Sequence, residues 1–140
     1  MDSPRIIPAH WAPPLLSVMR MVAAFLLLLH GTQKLFGFPA GDQPSQPVPL
    51  ISQMGLAGVV ETFGGLLLLV GLFSHVVAFI LSGEMAVAYF QAHFPNGFLP
   101  IVNHGELPAL LCFVLLYLAA AGPGPWSLDA LRWRRPRGTL

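Results

Sequence analysis

Residues 14–37 read PLLSVMRMVAAFLLLLHGTQKLFG, an apolar run that is longer than most core helices of soluble proteins. About 20 apolar residues in a helix cross the hydrocarbon layer of a bilayer, which is roughly 30 Å thick. Pro13 and Pro14 suit the first turn of a helix, and Gly37 and Pro39 suit its end. No small-residue cleavage pattern follows the apolar core, so we expect a membrane-spanning helix and not a cleaved signal peptide.

Three further apolar segments are long enough to cross a membrane, and we place them at 53–73, 76–94 and 104–121. Ser52 is a predicted N-cap for the second span. Residues 103–106, Asn-His-Gly-Glu, have the spacing of a capping box that opens the fourth span. With the first span at 14–37, the chain has four predicted spans. We therefore predict an all-α fold: an integral membrane four-helix bundle that forms a single domain over residues 1–140.

The composition agrees with this architecture. Of the 140 residues, 55% are hydrophobic and 9% are charged, whereas an ordinary soluble domain is about 25% charged. This difference argues against a soluble enzyme or a secreted domain. The formal net charge of +1 argues against a nucleic-acid-binding protein, which needs a basic surface. The lone cysteine, Cys112, can form neither an internal disulfide nor a tetrahedral zinc site.

The distribution of arginine predicts the orientation in the membrane. By the positive-inside rule both termini lie in the cytoplasm, because four arginines follow the last span: Arg132, Arg134, Arg135 and Arg137. Three tryptophans fall at the same interface, which suits their amphipathic rings: Trp11, Trp126 and Trp133. The tail 122–140 is then cytoplasmic, with a short interfacial helix that begins near Ser127. The Pro-rich loop 39–52 faces outward.

Six ionisable side chains fall within the spans or at their ends: Arg20, His30, Lys34, Glu61, Glu84 and Glu106. A charge at the bilayer centre costs at least about 2.5 kcal/mol unless it is paired or wetted, so we expect them to face the bundle interior. Counting about 1.5 Å per residue from the span ends matches them in depth as three pairs: Arg20 with Glu84, His30 with Glu61, and Lys34 with Glu106. At about 100° per residue, His93 points away from the face of Glu84 and is left out of the cluster.

Two interpretations of this cluster stay open. The first is a pocket toward the outer leaflet that binds a membrane quinone, because His30 or Lys34 can donate hydrogen bonds to its carbonyl oxygens and Glu61 or Glu106 can relay protons. It predicts catalytic roles for Glu61, Lys34 and His30, and ligand-binding roles for Arg20, Gln33, Glu84 and Glu106. In the second interpretation, the charges are structural ion pairs that hold the helices together in lipid.

Other chemistries find less support in the sequence. A haem needs two histidines at matching depth on facing helices, and His30, His75 and His93 do not offer such a pair. We therefore expect neither haem nor a bound metal ion. A proton or solute pathway stays possible, although four short helices leave little room for alternating access.

Several short motifs occur in a characteristic order. They are Arg20 early in the first span, Gly31 with Lys34 near its end, ETFGG at 61–65, LVGL at 69–72, Glu106 at the start of the fourth span, GPG at 122–124 and SLD at 127–129. In order and spacing, these motifs resemble the DoxX family of small bacterial membrane proteins. The resemblance covers most of residues 15–131.

The resemblance implies a four-helix bundle in the bacterial inner membrane. Some members of this family belong to quinone-linked redox systems, including thiosulfate:quinone oxidoreductase and a membrane oxidoreductase complex with superoxide dismutase. The family's polar signature falls on Arg20, Lys34, Glu61, Glu106 and Asp129. We expect a subunit of a quinone-dependent oxidoreductase that lies among membrane lipids, binds quinone and assembles with a protein partner carrying a redox centre. The alternatives are a structural or assembly subunit and a proton-coupled carrier of small solutes.

Overall fold

The computed structural model describes residues 4–41 and 46–133, and every regular element within these ranges is a helix. After a single 3-10 turn at the start come six α-helices: α1 (Ala12–Phe36), α2 (Gln53–Val70), α3 (Ser74–Ala88), α4 (Pro100–Asn103), α5 (Glu106–Ala121) and α6 (Leu128–Trp133). Helix α3 continues directly into a π-helix, Tyr89–His93, and a 3-10 turn, Phe94–Asn96. Three of the arginines that predict the orientation lie outside the described residues: Arg134, Arg135 and Arg137.

Length and surface both identify the molecule as a membrane helical bundle. Three helical segments are long and apolar enough to cross a membrane: Ala9–Phe36, Gln53–Val70 and Ser74–Asn96. Helix α5 is also apolar but has 16 residues, about 24 Å of helix. Each of the four helices exposes a phenylalanine by more than half, an arrangement suited to lipid and not to water: Phe25, Phe63, Phe79 and Phe113. The predicted all-α membrane bundle is confirmed.

The four long helices pack as two antiparallel pairs, α1 with α2 and α3 with α5. Each contributes one leucine with no exposed surface to a shared apolar layer: Leu27, Leu68, Leu81 and Leu115. Small alanines, Ala24 and Ala78, fill the space beside them. These side chains belong to one buried apolar cluster in the middle of the bundle.

Glycine sets the spacing between α1 and α2. A Cβ atom added to Gly31 would lie 2.6 Å from the backbone nitrogen of Thr62 and 2.9 Å from the carbonyl oxygen of Gly58. Gly65 meets the α1 backbone in the same way, at Ala24 and Leu28. Small residues at a helix interface let two backbones approach closely in lipid. This contact fixes the height and rotation of α1 relative to α2 near Lys34 and Glu61.

The helix starts agree only partly with the sequence signals. Ser52 does cap α2, since its hydroxyl accepts a hydrogen bond from the Gly55 N–H at 3.0 Å. The predicted capping box at 103–106 is wrong. Asn103 ends the short helix α4, and its side chain accepts a hydrogen bond from the Gly105 N–H at 2.8 Å, so α5 begins at Glu106 without a side-chain cap.

Candidate functional site

A cavity of about 300 Å³ opens at the end of the bundle where α1 and α3 finish and where α2 and α5 begin. We call this the cavity end, and the opposite end, which carries α6, the α6 end. Most of the wall is apolar, with Met54, Ala57, Met85, Leu107 and Leu111 among its residues. The polar and ionisable part of the wall comprises His30, Lys34, Gln53, Glu61, Glu84, Gln91 and His93.

An ion pair between Lys34 and Glu61 lies on the wall. The Lys34 Nζ atom is 2.6 Å and 2.7 Å from the two carboxylate oxygens of Glu61. The Glu61 side chain is 2% exposed and that of Lys34 is 21% exposed. Side chains in a helix lean toward its N-terminus, so Lys34 leans inward from α1 while Glu61 leans outward from the antiparallel α2. They therefore meet although their Cα atoms lie at different depths, and the predicted pairs of His30 with Glu61 and of Lys34 with Glu106 are wrong.

Glu84 brings a second carboxyl group to the same cavity. Both of its carboxylate oxygens are buried, and neither has a hydrogen-bond partner among the described residues. Glu84 is also close enough to Glu61 and Lys34 to interact with their charges. A buried polar group without a partner costs about 1–3 kcal/mol. The cavity wall thus carries two carboxyl groups, the Lys34 ammonium group and two imidazole rings, and one of the carboxyl groups has no donor among the described residues.

The π-helix shapes one wall of the cavity. It brings Gln91 and His93 to the cavity, where Gln53 of α2 donates a hydrogen bond to Gln91. The Nδ1 atom of His93 lies 3.1 Å from the carbonyl oxygen of Asn103. The prediction that His93 faces away is wrong, because a π-helix turns by less than the 100° per residue assumed for an α-helix.

Three predicted ligand-binding residues do not line the cavity: Gln33, Glu106 and Arg20. Gln33 donates a hydrogen bond from Nε2 to the carbonyl oxygen of Pro39 at 3.1 Å and so holds the segment after α1. Glu106 is exposed in the first turn of α5. It lies at the surface because α5 begins at Glu106 itself and not two residues earlier.

Arg20 lies at the α6 end, and the predicted ion pair with Glu84 is wrong. Its guanidinium has no exposed surface and donates to backbone carbonyl oxygens only. Two of these end α2, Leu68 at 2.5 Å and Leu69 at 2.7 Å. The other two lie in the segment after α5, Pro123 at 2.9 Å and Trp126 at 2.5 Å. A cation at a helix C-terminus also interacts favourably with the helix dipole.

Asp129 of α6 caps the start of α3 next to Arg20. Its carboxylate accepts hydrogen bonds from the backbone N–H of Ser74 at 2.8 Å and of Phe73 at 3.1 Å. Burial acts to raise the pKa of Asp129, but the hydrogen bonds from Ser74 and Phe73 and the charge of Arg132 outweigh burial, and the pKa lies below its usual value. Asp129 is thus an anionic cap at the membrane-boundary end of α3.

Comparison with known proteins identifies the family. A family model described as DoxX matches residues 15–94, which is more than half of the chain. The chain belongs to the DoxX family. An uncharacterised protein of Haemophilus influenzae is 40% identical over 122 residues, 85% of this chain and 91% of the relative. An uncharacterised membrane protein of Mycobacterium tuberculosis is 31% identical over 141 aligned positions, 90% of this chain and 85% of the relative.

The comparison with solved structures found no match. The DoxX match begins in the first turn of α1 and ends at Phe94, the residue after the π-helix. It therefore includes every ionisable residue on the cavity wall: His30, Lys34, Glu61, Glu84 and His93. The family relationship and the second relative's description agree with the structure that this is a multi-pass membrane protein.

Three polar residues on the cavity wall of this DoxX protein are not among the predicted site residues: Gln53, Gln91 and His93, the last of which is left out of the predicted cluster. Gln91 carries a signal, since it lies seven residues after Glu84 and shares its helix face. The sequence gives no such signal for Gln53, whose position depends on the rotation of α2. It gives none for His93 either, because the position of His93 depends on the π-helix. No group of three or more His, Cys, Asp or Glu side chains within 4–41 and 46–133 is arranged to hold a metal ion.

Proposed function

We propose that this DoxX protein binds the head group of a membrane quinone in the cavity, as the membrane subunit of a quinone-linked oxidoreductase. One observation supports the proposal above all: the Lys34–Glu61 ion pair and the unpartnered Glu84 share a mostly apolar cavity of about 300 Å³ between membrane-spanning helices. Small-molecule sites are of this kind, with apolar walls and a few convergent polar groups.

The residues on the wall fit the chemistry of a quinone. Lys34 has three N–H donors, of which two serve the Glu61 carboxylate, and one is left for a carbonyl oxygen of the ligand. Met54, Met85 and Leu111 offer apolar contact to the ring. When bound, a quinone can accept two electrons and two protons. Glu84, His30 and His93 are titratable groups on the wall that can exchange protons with it.

The proposal requires a second protein. Electrons have to reach the cavity from a redox centre, and we propose that a partner protein carries it. Cross-linking in native membranes followed by purification and mass spectrometry tests this part. Recovery of one stoichiometric partner with a redox centre supports the proposal, and recovery of this chain alone contradicts it.

Photolabelling tests the site itself. The purified protein in lipid nanodiscs is irradiated with an azidoquinone, and labelled peptides are mapped by mass spectrometry. We expect labels in α1 near His30 and in the segment 84–93, removed by an excess of unlabelled quinone. Lys34→Met should reduce this labelling at least about tenfold, because it removes a charged hydrogen-bond donor. Glu106→Gln, outside the cavity, should not. Labels that are spread over lipid-facing surfaces and resist competition contradict the proposal.

A structural or assembly role is the second candidate, and the direct contact of Lys34 with Glu61 between α1 and α2 favours it. Removing one member of a buried ion pair costs about 3–5 kcal/mol, whereas replacing both with apolar or neutral residues is often close to neutral. The double variant Lys34→Met with Glu61→Gln should therefore fold well. If the charges serve only the fold, the folded double variant should match the wild type in quinone labelling and in redox activity. Loss of both labelling and activity in a folded double variant supports the quinone site.

A solute carrier finds less support in the structure. A carrier needs a path from the cavity to the opposite side of the membrane. The apolar layer of Leu27, Leu68, Leu81 and Leu115 lies between the cavity and the α6 end, and none of these leucines has exposed surface. Solute uptake by sealed vesicles that contain the purified protein would favour a carrier over quinone binding.

A further inference from the structure

We infer that the cavity prefers the reduced, hydroxyl-bearing form of its ligand, a quinol, and that Glu84 accepts the hydrogen bond of that hydroxyl. The inference rests on the proposed function, since it specifies which form of the ligand the same site selects. It assigns to Glu84 the role of the specificity-determining residue, separate from the Lys34–Glu61 pair.

The contacts of the other polar groups single out Glu84. The Glu61 carboxylate is occupied by Lys34. The side chains of Gln53 and Gln91 bond to each other. Both oxygens of Glu84 are buried on the cavity wall and lack a partner among the described residues. A ligand that satisfies Glu84 must therefore supply a hydrogen-bond donor.

The chemistry of the two ligand forms then decides between them. A quinone carries only acceptors around its ring, whereas each hydroxyl of a quinol both donates and accepts. At least one oxygen of Glu84 stays an acceptor whether the carboxyl group is ionised or protonated. A quinol can thus donate to Glu84 and accept from the remaining N–H of Lys34. A quinone can accept from donors such as Lys34 and His30, but it leaves an acceptor of Glu84 buried without a donor.

The size of the preference follows from the hydrogen bond. A hydrogen bond between neutral groups contributes about 0.5–1.5 kcal/mol and one to a charged group about 1.5–3 kcal/mol, which together correspond to an affinity ratio of about 2 to 150. Desolvation of Glu84 does not reduce this ratio, because its oxygens are already buried in the free protein. We expect the wild type to bind a short-chain quinol at least about threefold more tightly than the matching quinone.

Equilibrium binding in nanodiscs under anaerobic conditions tests the inference, with a short-chain benzoquinone, its quinol and the dimethyl ether of that quinol. The ether keeps the ring and removes the donors, so we expect it to bind no more tightly than the quinone. Glu84→Met should bring the quinol-to-quinone affinity ratio to about one. Glu84→Gln keeps an acceptor oxygen but adds N–H donors from which a quinone can accept, so it should reduce the preference without abolishing it.

The outcomes separate this inference from the proposed function. Equal affinities of the wild type for quinol and quinone overturn the inference and leave quinone binding in place, and so does a preference that survives in Glu84→Met. Failure of the wild type to bind any of the three compounds overturns both. Glu84→Met should fold, because it replaces a buried carboxyl group that lacks a partner, and its melting temperature in detergent should equal or exceed that of the wild type.

Discussion

Three charged residues inside the bundle reach low-energy arrangements in different ways. The Arg20 guanidinium donates hydrogen bonds to carbonyl oxygens of a helix end and a loop. Lys34 forms an ion pair with the Glu61 carboxylate, whereas Glu84 has no hydrogen-bond partner among the described residues. The first two have partners within the fold, so removing one member of either arrangement should destabilise it. The third is a cost of folding that a ligand can offset, and such uncompensated groups concentrate at functional sites.

Arg20 should be sensitive even to a change that keeps its charge. Lysine is a compact point charge and cannot present the planar set of donors that Arg20 offers to four carbonyl groups. At about 1–3 kcal/mol per buried carbonyl left without a donor, Arg20→Lys should lower the free energy of unfolding in detergent by about 2 kcal/mol or more. Arg5→Lys, at an exposed arginine, serves as the control and should change it by less than about 0.5 kcal/mol. Equal melting curves for Arg20→Lys and wild type would contradict this view of Arg20.

At this scale the sequence indicated which residues are unusual but not which residues meet. Insertion cost alone identifies Arg20, Lys34, Glu61 and Glu84 as residues that need a partner. Depth counting from span ends treats side chains as if they lay level with their Cα atoms. It therefore paired Lys34 with Glu106, whereas the opposite lean of side chains on antiparallel helices brings Lys34 to Glu61.

At the scale of helices, the contact of α1 with α2 at Gly31 holds the cavity end together. A methyl group at Gly31 would lie 2.6 Å from the Thr62 backbone nitrogen, and helix backbone cannot yield as a flexible side chain can. Gly31→Ala should force the two helices apart and lower the free energy of unfolding by about 1–3 kcal/mol. It should also weaken quinone labelling, because it separates Lys34 from Glu61.

A matched control exists in α3. A methyl group added at Gly83 would meet no neighbouring atom within 4 Å, so Gly83→Ala should stabilise the helix by up to about 1 kcal/mol and leave labelling unchanged. Denaturant unfolding of both variants in the same detergent makes the comparison. Similar effects of the two substitutions would show that helix propensity, and not the contact of α1 with α2, governs stability here.

The cap that α6 provides for α3 predicts a response to acid. A pKa below the usual value means that ionised Asp129 stabilises the fold above its unfolded pKa of about 3.9, and that this contribution is lost as the pH falls through the folded value. Asp129→Asn should lower the free energy of unfolding by about 1 kcal/mol at pH 7. The difference from wild type should shrink below about pH 4. A difference that is constant from pH 7 to pH 3 would contradict the role of the charge, and Glu106→Gln, at an exposed carboxylate, is the control.

At the scale of the whole molecule, the two ends of the bundle differ in purpose. At the α6 end, Arg20 donates hydrogen bonds to carbonyl groups of α2 and of the segment after α5. Asp129 accepts a hydrogen bond from a backbone N–H of α3. The cavity end leaves Glu84 unsatisfied. A rigid base that supports a less stable ligand end is a common arrangement, because binding regions come from the low-stability part of a fold.

The sequence was sufficient for the architecture and insufficient for the packing. Apolar runs near 20 residues reveal spans because lipid requires them, and α1, α2 and α3 lie close to the predicted positions. Hydropathy does not specify the rotation and height of each helix. The rotation and height of a helix depend on local details such as the close contact at Gly31 and the π-helix. The positions of His93, Gln53 and Glu106 follow from that rotation and height.

Orientation is a property of the whole chain, and it follows from charge. We expect both termini in the cytoplasm of a bacterial cell, because Arg132 and the three arginines after Trp133 follow the last span. A fluorescent protein fused after residue 140 should then fluoresce, and alkaline phosphatase fused after Leu50 should be active. Replacing all four arginines with glutamine should shift a measurable fraction of molecules to the opposite orientation, whereas Arg5→Gln should do so less. An active phosphatase fused after residue 140 of the wild type would reverse the assignment and place the cavity end at the cytoplasmic face, where a cytoplasmic redox partner would have direct access to it.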